Sequence, residues 1–325
     1  MTMSSADLDI SVIVATRARS AGCRRLLRAI ADQFSFFANI GYEIVLVFDG
    51  CPLYEWLPIN EIPIRTVVLA EHSGIARARN AGIAAANGEL LAFLDDDCVP
   101  ASTWLAELVR MSAQYPQHVA FGGKVIGTDR HNLYSQLRDV VYYWETFGAW
   151  YLDPSATSDV IGGPYVNGGN SAYRRPSLVQ AGGFEPILPA YSDVELGRRL
   201  HLACRAVLSP GMAILHDHPS GFRQYMLRCW RSGRARALLW AHRGYQQDSP
   251  ATVARAVVTN ILWNNIAHRR RRVDASAAVV VSVLLCQEVV HGIGYALTLA
   301  RSRRRSGDRP GDRVDGPPDT RGVSG

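Results

Sequence analysis

"SGIARARNAGIAAANGELLAFLDDD" runs from Ser73 to Asp97. Its first part is Ala-rich, opens on a serine suited to a helix N-cap, and closes at Asn87-Gly88, which is helix punctuation. Its last part is an apolar run of strand length that ends in three carboxylates, Asp95, Asp96 and Asp97. Adjacent like charges repel, so a plain surface turn gains nothing from all three. Neighbouring carboxylates after a strand do make a hard-oxygen site for Mg²⁺ or Mn²⁺, ions that bind through one or two carboxylates plus substrate phosphates. The bland alternative is an Asp-rich turn and cap leading into "PASTWLAELV" (Pro100 to Val109).

Upstream lie three further strand-like runs: "ISVIVAT" (Ile10 to Thr16), "YEIVLVFDG" (Tyr42 to Gly50) and "IRTVVLA" (Ile64 to Ala70). A helical stretch near Cys23 to Phe37 separates the first two. Continuous apolar strands alternating with helices imply a parallel sheet covered on both faces. Ligands bind such sheets at the carboxyl ends of strands, where Asp49 and Asp95 to Asp97 all fall. Downstream, "FGGKVIG" (Phe121 to Gly127) and "CRAVLSPGMAILHDH" (Cys204 to His218) read as strands, and "SDVELGRRLHLA" (Ser192 to Ala203) as a helix. From Pro219 the chain is helical and basic, and the final stretch, rich in Gly, Pro and charge, is expected to be disordered.

The chain has 325 residues and a formal net charge of +6, gathered after residue 200 and densest at "HRRRR" (His268 to Arg272) and "RSRRR" (Arg301 to Arg305). Such a pattern suits an anionic partner, a membrane face or phosphates. Nucleic acid is the least supported partner, because no helix-turn-helix, zinc-finger or RNP signature accompanies the arginines. Six scattered cysteines without a CxxC pair read as free thiols of a reducing compartment. The N-terminus lacks a basic start with an apolar h-region, so no signal peptide is expected. Ala275 to Ala300 is long enough to span a bilayer, but Gln287, Glu288 and His291 interrupt its centre. An interfacial helix, or one packed on the domain, is the favoured reading over a spanning one.

Taken in order, these segments resemble the inverting glycosyltransferases of family 2. The features are Gly74, Ala78-Arg79-Asn80, Gly82, Ala86, Gly88-Glu89 and then the Asp-x-Asp motif of Asp95 to Asp97. "SVIVATRAR" looks like the family's first strand, and "EIVLVFDG" like the second, with Phe48 where an aspartate often stands. "NGGNSAYRR" (Asn167 to Arg175), "SDVELGRRL" (Ser192 to Leu200) and "ILHDH" (Ile214 to His218) continue the likeness over roughly residues 9 to 218.

The resemblance implies a GT-A-like α/β fold: a mixed, mostly parallel sheet with flanking helices. It implies a glycosyltransferase domain over 1–218, which composition extends by a basic helical segment over 219–304 and a disordered tail over 305–325. It implies a nucleoside diphosphate sugar as donor and Mg²⁺ or Mn²⁺ as cofactor, while the basic C-terminus suggests an acceptor that is lipid-linked or an anionic glycan. Asp193 is implied as general base, and Thr16, Arg17, Asp49, Arg79, Asp95 and Asp96 as donor-binding. Gly169 and Asn170 would face the acceptor, and Asp97 with His216 would hold the metal, His216 being preferred to His218. The implied location is cytoplasmic, peripheral on the inner face of the cell membrane.

Each of these residues also has a plainer reading. Ser192-x-x-Glu195 is a capping box, so Asp193 could simply start a helix. Arg79 could be an exposed helical arginine, and Asn170 could order the Gly-rich turn. "FLDDDCV" also fits a haloacid-dehalogenase-type phosphatase with Asp95 as nucleophile and Asp97 as acid/base, although three strands precede it here. A nucleotidyltransferase would need a Gly-rich triphosphate loop after the first strand, which "TRARSAG" matches poorly. A module that binds a nucleotide sugar without turnover is the remaining alternative.

Overall fold

The computed structural model describes residues 10–37, 40–57, 63–139, 157–163, 165–241, 273 and 275–307. In chain order these form β1 (Ile10–Thr16), α1 (Ser20–Phe34), β2 (Tyr42–Asp49), β3 (Ile64–Leu69), α2 (Ile75–Ala85), β4 (Leu90–Asp95), β5 (Cys98–Pro100) and α3 (Trp104–Gln114). There follow β6 (Ala120–Gly127), α4 (Leu133–Leu137), β7 (Val160–Ile161), β8 (Asn170–Arg174), α5 (Arg175–Gln180), α6 (Ser192–Arg199), β9 (Ala206–His216), α7 (Phe222–Ala241) and α8 (Ala277–Gly307).

The strands are apolar on both faces because both faces are covered. Along β1, Ile10, Val12 and Val14 point to one side with Ile44, Leu46 and Phe48 of β2, where α1 and α3 pack. Ile13 points to the other side with Val45, Val47, Leu91 and Phe93, against α2, α5 and α6. The alternation is the period-2 geometry of a strand. Helix α2 lies very close to the sheet: a Cβ on Gly82 would run into the Ile13 side chain. Only glycine permits that approach.

The expected parallel sheet holds for β3-β2-β1-β4, and the strands beyond it make the sheet mixed. β8 pairs antiparallel with β4, β6 antiparallel with β8, and β9 parallel with β6. The two reversals cancel, so β9 runs in the direction of β4. Its last residue, His216, therefore emerges at the same edge as Asp95. β5 fixes the register there by pairing Cys98 with His216, while β8 begins at that edge with Asn170 opposite Leu94.

Helix starts differ in detail from those expected. α2 begins after Gly74 with no side-chain cap, and Ser73 gives its hydroxyl and N–H to Asp49 instead. α6 includes Ser192 as its first helical residue and has no side-chain cap bond from Tyr191 before it. The capping-box reading of Ser192 and Glu195 is thereby corrected. The fully buried Glu195 carboxylate accepts from Arg199 Nε, and the Arg199 guanidinium reaches the carbonyls of Ala181 and Gly183.

The C-terminal helices form a third, smaller core with α4 through Leu137, Tyr225, Met226, Val280, Val283 and Leu284. The expected tail boundary at residue 305 falls inside α8, which continues to Gly307. His268 to Arg272 and residues 308–325 lie outside the described residues. All six cysteines are free thiols.

Asn170 ties the second half of the sheet together. It is fully buried, donates to the Lys124 and Met212 carbonyls (3.0 and 2.8 Å), and accepts from Trp104 Nε1 (2.8 Å). Replacing it by leucine strands three buried polar groups. Asn170→Leu should lower the unfolding free energy by roughly 3 kcal/mol; a denaturant midpoint equal to wild type would contradict this.

Candidate active site

The turn after β4 distributes its three aspartates among different partners. Asp96 turns inward, accepting from Thr16 Oγ1 (2.7 Å), the Arg17 N–H (3.3 Å) and Arg19 Nη1 (3.0 Å). Thr16 Oγ1 also meets the Tyr54 hydroxyl at 2.5 Å. Asp95 and Asp97 flank His216, whose Nε2 lies 3.8 Å from Asp95 Oδ2 and 3.3 Å from Asp97 Oδ1. Asp95 Oδ1 accepts from Arg79 Nη2 (2.8 Å), and Asp97 Oδ2 accepts from Arg19 Nη1 (2.5 Å).

The two carboxylates are electrostatically unequal. Burial works to raise Asp95, but Arg79 and His216 outweigh it and hold Asp95 well below the usual carboxylate range. Burial raises Asp97, and although His216 and Arg19 oppose this, the neighbouring aspartates reinforce it. Asp97 is thus short of positive charge.

A divalent cation fits that shortage. Ligand atoms of Asp95, Asp97 and His216 lie within 4.8 Å of one another. Asp97 Oδ1 is buried without a hydrogen-bond partner. Two carboxylates and an imidazole suit Mn²⁺ well, and Mg²⁺ through the oxygens. His218 is placed differently: its Nε2 bonds Asp139 Oδ1 at 2.9 Å, and burial pushes its pKa down to about 4. Of the two histidines, His216 is the one beside the carboxylates, and Asp95 joins the expected Asp97 and His216.

Opposite this group sits Asp193, in the first turn of α6. Its Oδ2 accepts the Gly168 N–H (2.9 Å) and its Oδ1 the Val194 N–H (3.0 Å). Enclosure raises its pKa, against the lowering effect of those N–H groups and of Arg79. Tyr191, two residues earlier, holds a left-handed backbone at φ 64°, uncommon for a non-glycine residue and frequent near functional sites. Asn167-Gly168-Gly169 is wedged between the two halves of the site. A Cβ on Gly168 would strike the Arg79 guanidinium, and one on Gly169 would strike the Asp95 carboxylate.

Other expected residues are placed with corrections. Arg79 is no exposed helical arginine: it is buried, pairs with Asp95, and lies over the Phe184 ring at 5.3 Å. Asp49 is at the end of β2, but its oxygens already accept from the Ser73 N–H and hydroxyl and the Gly74 N–H, and meet His72 Nδ1 at 2.7 Å. Burial would raise it, yet these bonds outweigh burial and lower its pKa. Phe48 is fully buried. Arg17 exposes its side chain and contributes its backbone N–H to Asp96. Asn170 is enclosed with its amide fully bonded, which fits ordering the turn rather than touching an acceptor.

Arg19, which bridges Asp96 and Asp97, was not singled out by the sequence. The signal existed in the loop after β1, since β1 pairs with β4 and the residues that follow each strand must meet.

The chain matches the family model described as "Glycosyl transferase family 2" over residues 11–230. It is 25% identical over 300 residues to a pre-mycofactocin glycosyltransferase of Mycobacterium tuberculosis, covering 89% of this chain and 59% of that protein. The chain thus spans about three-fifths of that relative's length. It is 33% identical over 94 residues to an uncharacterized glycosyltransferase of Bacillus subtilis, covering 28% of this chain and 33% of that one. Among solved structures, a mannosyltransferase of Pyrobaculum calidifontis in complex with GDP-Man and Mn²⁺ aligns with TM-score 0.59 and 19% identity, over 90% of this chain and 87% of that one. GalNAc-T7 with UDP, GalNAc and Mn²⁺ aligns with TM-score 0.50 and 16% identity, over 78% and 54%. The fold is therefore GT-A, the phosphatase reading of Asp95 is set aside by the family match, and the chain belongs to glycosyl transferase family 2.

Proposed function

We propose that the protein transfers a sugar from a nucleoside diphosphate sugar to an acceptor hydroxyl with inversion, using Asp193 as general base. The observation that carries this reading is the wedge of Gly168 and Gly169. It joins Asp193 on one side to Arg79, Asp95 and the Asp97–His216 pair on the other. A base and a diphosphate site within one turn of each other are what a direct displacement needs. The GDP-Man and Mn²⁺ bound by the mannosyltransferase neighbour support the donor class.

In this reading Asp193 accepts the proton of the acceptor hydroxyl while that oxygen bonds to the anomeric carbon. The bond from that carbon to the diphosphate oxygen breaks on the opposite face, and the nucleoside diphosphate leaves with the electron pair. One in-line displacement inverts the anomeric centre. Asp97 and His216, with Asp95, would hold Mg²⁺ or Mn²⁺, which when bound neutralises diphosphate charge. Thr16, Arg17 and Asp96 shape the donor side through the bonds between the ends of β1 and β4. Asp49 holds the loop leading into α2, and Arg79 keeps Asp95 ionised. Gly169 leaves room beside Asp95 at the acceptor side.

Residues 1–218 would form the catalytic domain and 219–304 its basic helical extension. That extension suits a lipid-linked or anionic acceptor at the inner face of the cell membrane, with the protein otherwise cytoplasmic.

Asp193→Asn should reduce turnover by about 10²–10⁴-fold. The rise in melting temperature given by nucleoside diphosphate with Mn²⁺ should persist. Retained turnover would remove Asp193 from the base role, and ligand binding without turnover in wild type would leave a binding module. Because enclosure raises the Asp193 pKa, the ionised base is lost as pH falls through a value above that of a free aspartate. The acid limb of kcat/KM should therefore inflect above the free-aspartate value, and an inflection at or below that value would disagree. Asp97→Ala should weaken Mn²⁺-dependent nucleotide binding, read by calorimetry, by about 10–100-fold; equal affinities with and without metal would count against the site.

A further inference from the structure

Helix α8 has two dissimilar long faces. One lies along α7: the Tyr225 hydroxyl donates to Gln287 Oε1, Gly233 backs onto the His291 backbone, and Gly294 backs onto Trp230. The other is open. Leu285, Val289, Ile293 and Leu297 repeat every four residues, each between 46% and 60% exposed. Every exposed residue from Ser276 to Ala300 is apolar or small and uncharged. From Ser282 to Ala300 this stripe is about 27 Å long. The half-buried Gln287, Glu288 and His291 that interrupt the sequence stand off the exposed stripe.

By length and composition Ala277–Arg301 could cross a bilayer, and only 22% of its apolar window is buried within the protein. Its packing argues against crossing. α7 lies against α8 from Tyr225 to Trp230 and Gly233, and it exposes Arg223, Arg231 and Arg234. Immersing α8 would carry those arginines into hydrocarbon, at a cost of several kcal/mol each. The basic groups instead suit the headgroups beside a helix that lies flat: Arg301 is exposed at the end of the stripe, followed in sequence by Arg303, Arg304 and Arg305.

We propose that the exposed face of α8 is a docking surface for an anionic bilayer, with the helix lying in the interface and α7 packed on its other face. The inference deepens the membrane placement given to the acceptor above. Its occupant is an anionic lipid surface rather than a second copy because the stripe ends at the exposed Arg301, with Arg303, Arg304 and Arg305 next in sequence, a charge that complements lipid headgroups and gains nothing from a like-charged copy.

The test is flotation of the full chain with vesicles of phosphatidylcholine alone or mixed with phosphatidylglycerol. Wild type should float with the anionic vesicles, less so at raised salt. Val289→Glu combined with Ile293→Glu should raise the lipid concentration needed for half-binding by on the order of tenfold or more. Both positions are exposed, so the variant should keep its Mn²⁺-nucleotide melting shift, which shows that it is folded. Three results would overturn the proposal: unchanged flotation of the double variant, resistance of the expressed protein to alkaline carbonate extraction as a spanning helix would show, or a wild-type dimer that the double variant dissolves without any vesicle binding. Loss of the nucleotide shift in wild type would instead count against the sugar-transfer reading and leave the docking surface standing.

Discussion

The ion pair of the buried Arg79 with the half-buried Asp95 is the interaction on which the site depends. Arg79 projects from α2, Asp95 ends β4, and their contact sits under the Gly168-Gly169 turn that leads into β8. The guanidinium also lies over Phe184, whose backbone N–H and carbonyl are both held by the Asn80 amide. Two adjacent residues of one helix thus fix the floor beneath Asp95 and the segment that precedes α6. Enclosing a charge pair costs desolvation. Here the His216 ring also approaches the same carboxylate, its Nε2 3.8 Å away.

The helix–strand unit from Ser73 to Asp97 was legible because helix punctuation and a continuous apolar strand are local signals. β1, β2 and β3 were legible for the same reason, and so was the placement of aspartates at strand ends. The resemblance carried the choice of Asp193 and of His216 over His218. What the sequence obscured was pairing at a distance. Nothing local says that β8 runs against both β4 and β6, and only the two reversals together leave β9 running with β4 so that His216 arrives beside Asp97. Local signals also misassigned polar groups with several suitable partners. Ser73 fits a cap by type but bonds Asp49, and Glu195 fits a capping box but is drawn to Arg199. Asn170 looks like a binding residue because it follows two glycines, yet its amide is consumed by two carbonyls and an indole.

Electrostatics divides the carboxylates by neighbour rather than by position in the motif. Asp95 faces the Arg79 guanidinium and the His216 ring and is strongly acidic, Asp97 is enclosed and under-compensated, and Asp96 is bonded to the end of β1. Asp193 differs again, with backbone donors alone on its oxygens among the described residues. A chain with the same four aspartates but different arginines at 19 and 79 would distribute these roles differently.

The Asp96–Asp97 turn is clamped on both sides, by Thr16 and Arg19 before it and by the pairing of Cys98 with His216 after it. Its backbone order is therefore established by folding of the sheet. The conformational entropy of shaping this loop is charged to folding and does not recur when a ligand arrives. An ion received at the turn would meet a fixed frame, so one of the wrong radius would be disfavoured by a geometry that has little freedom to adapt.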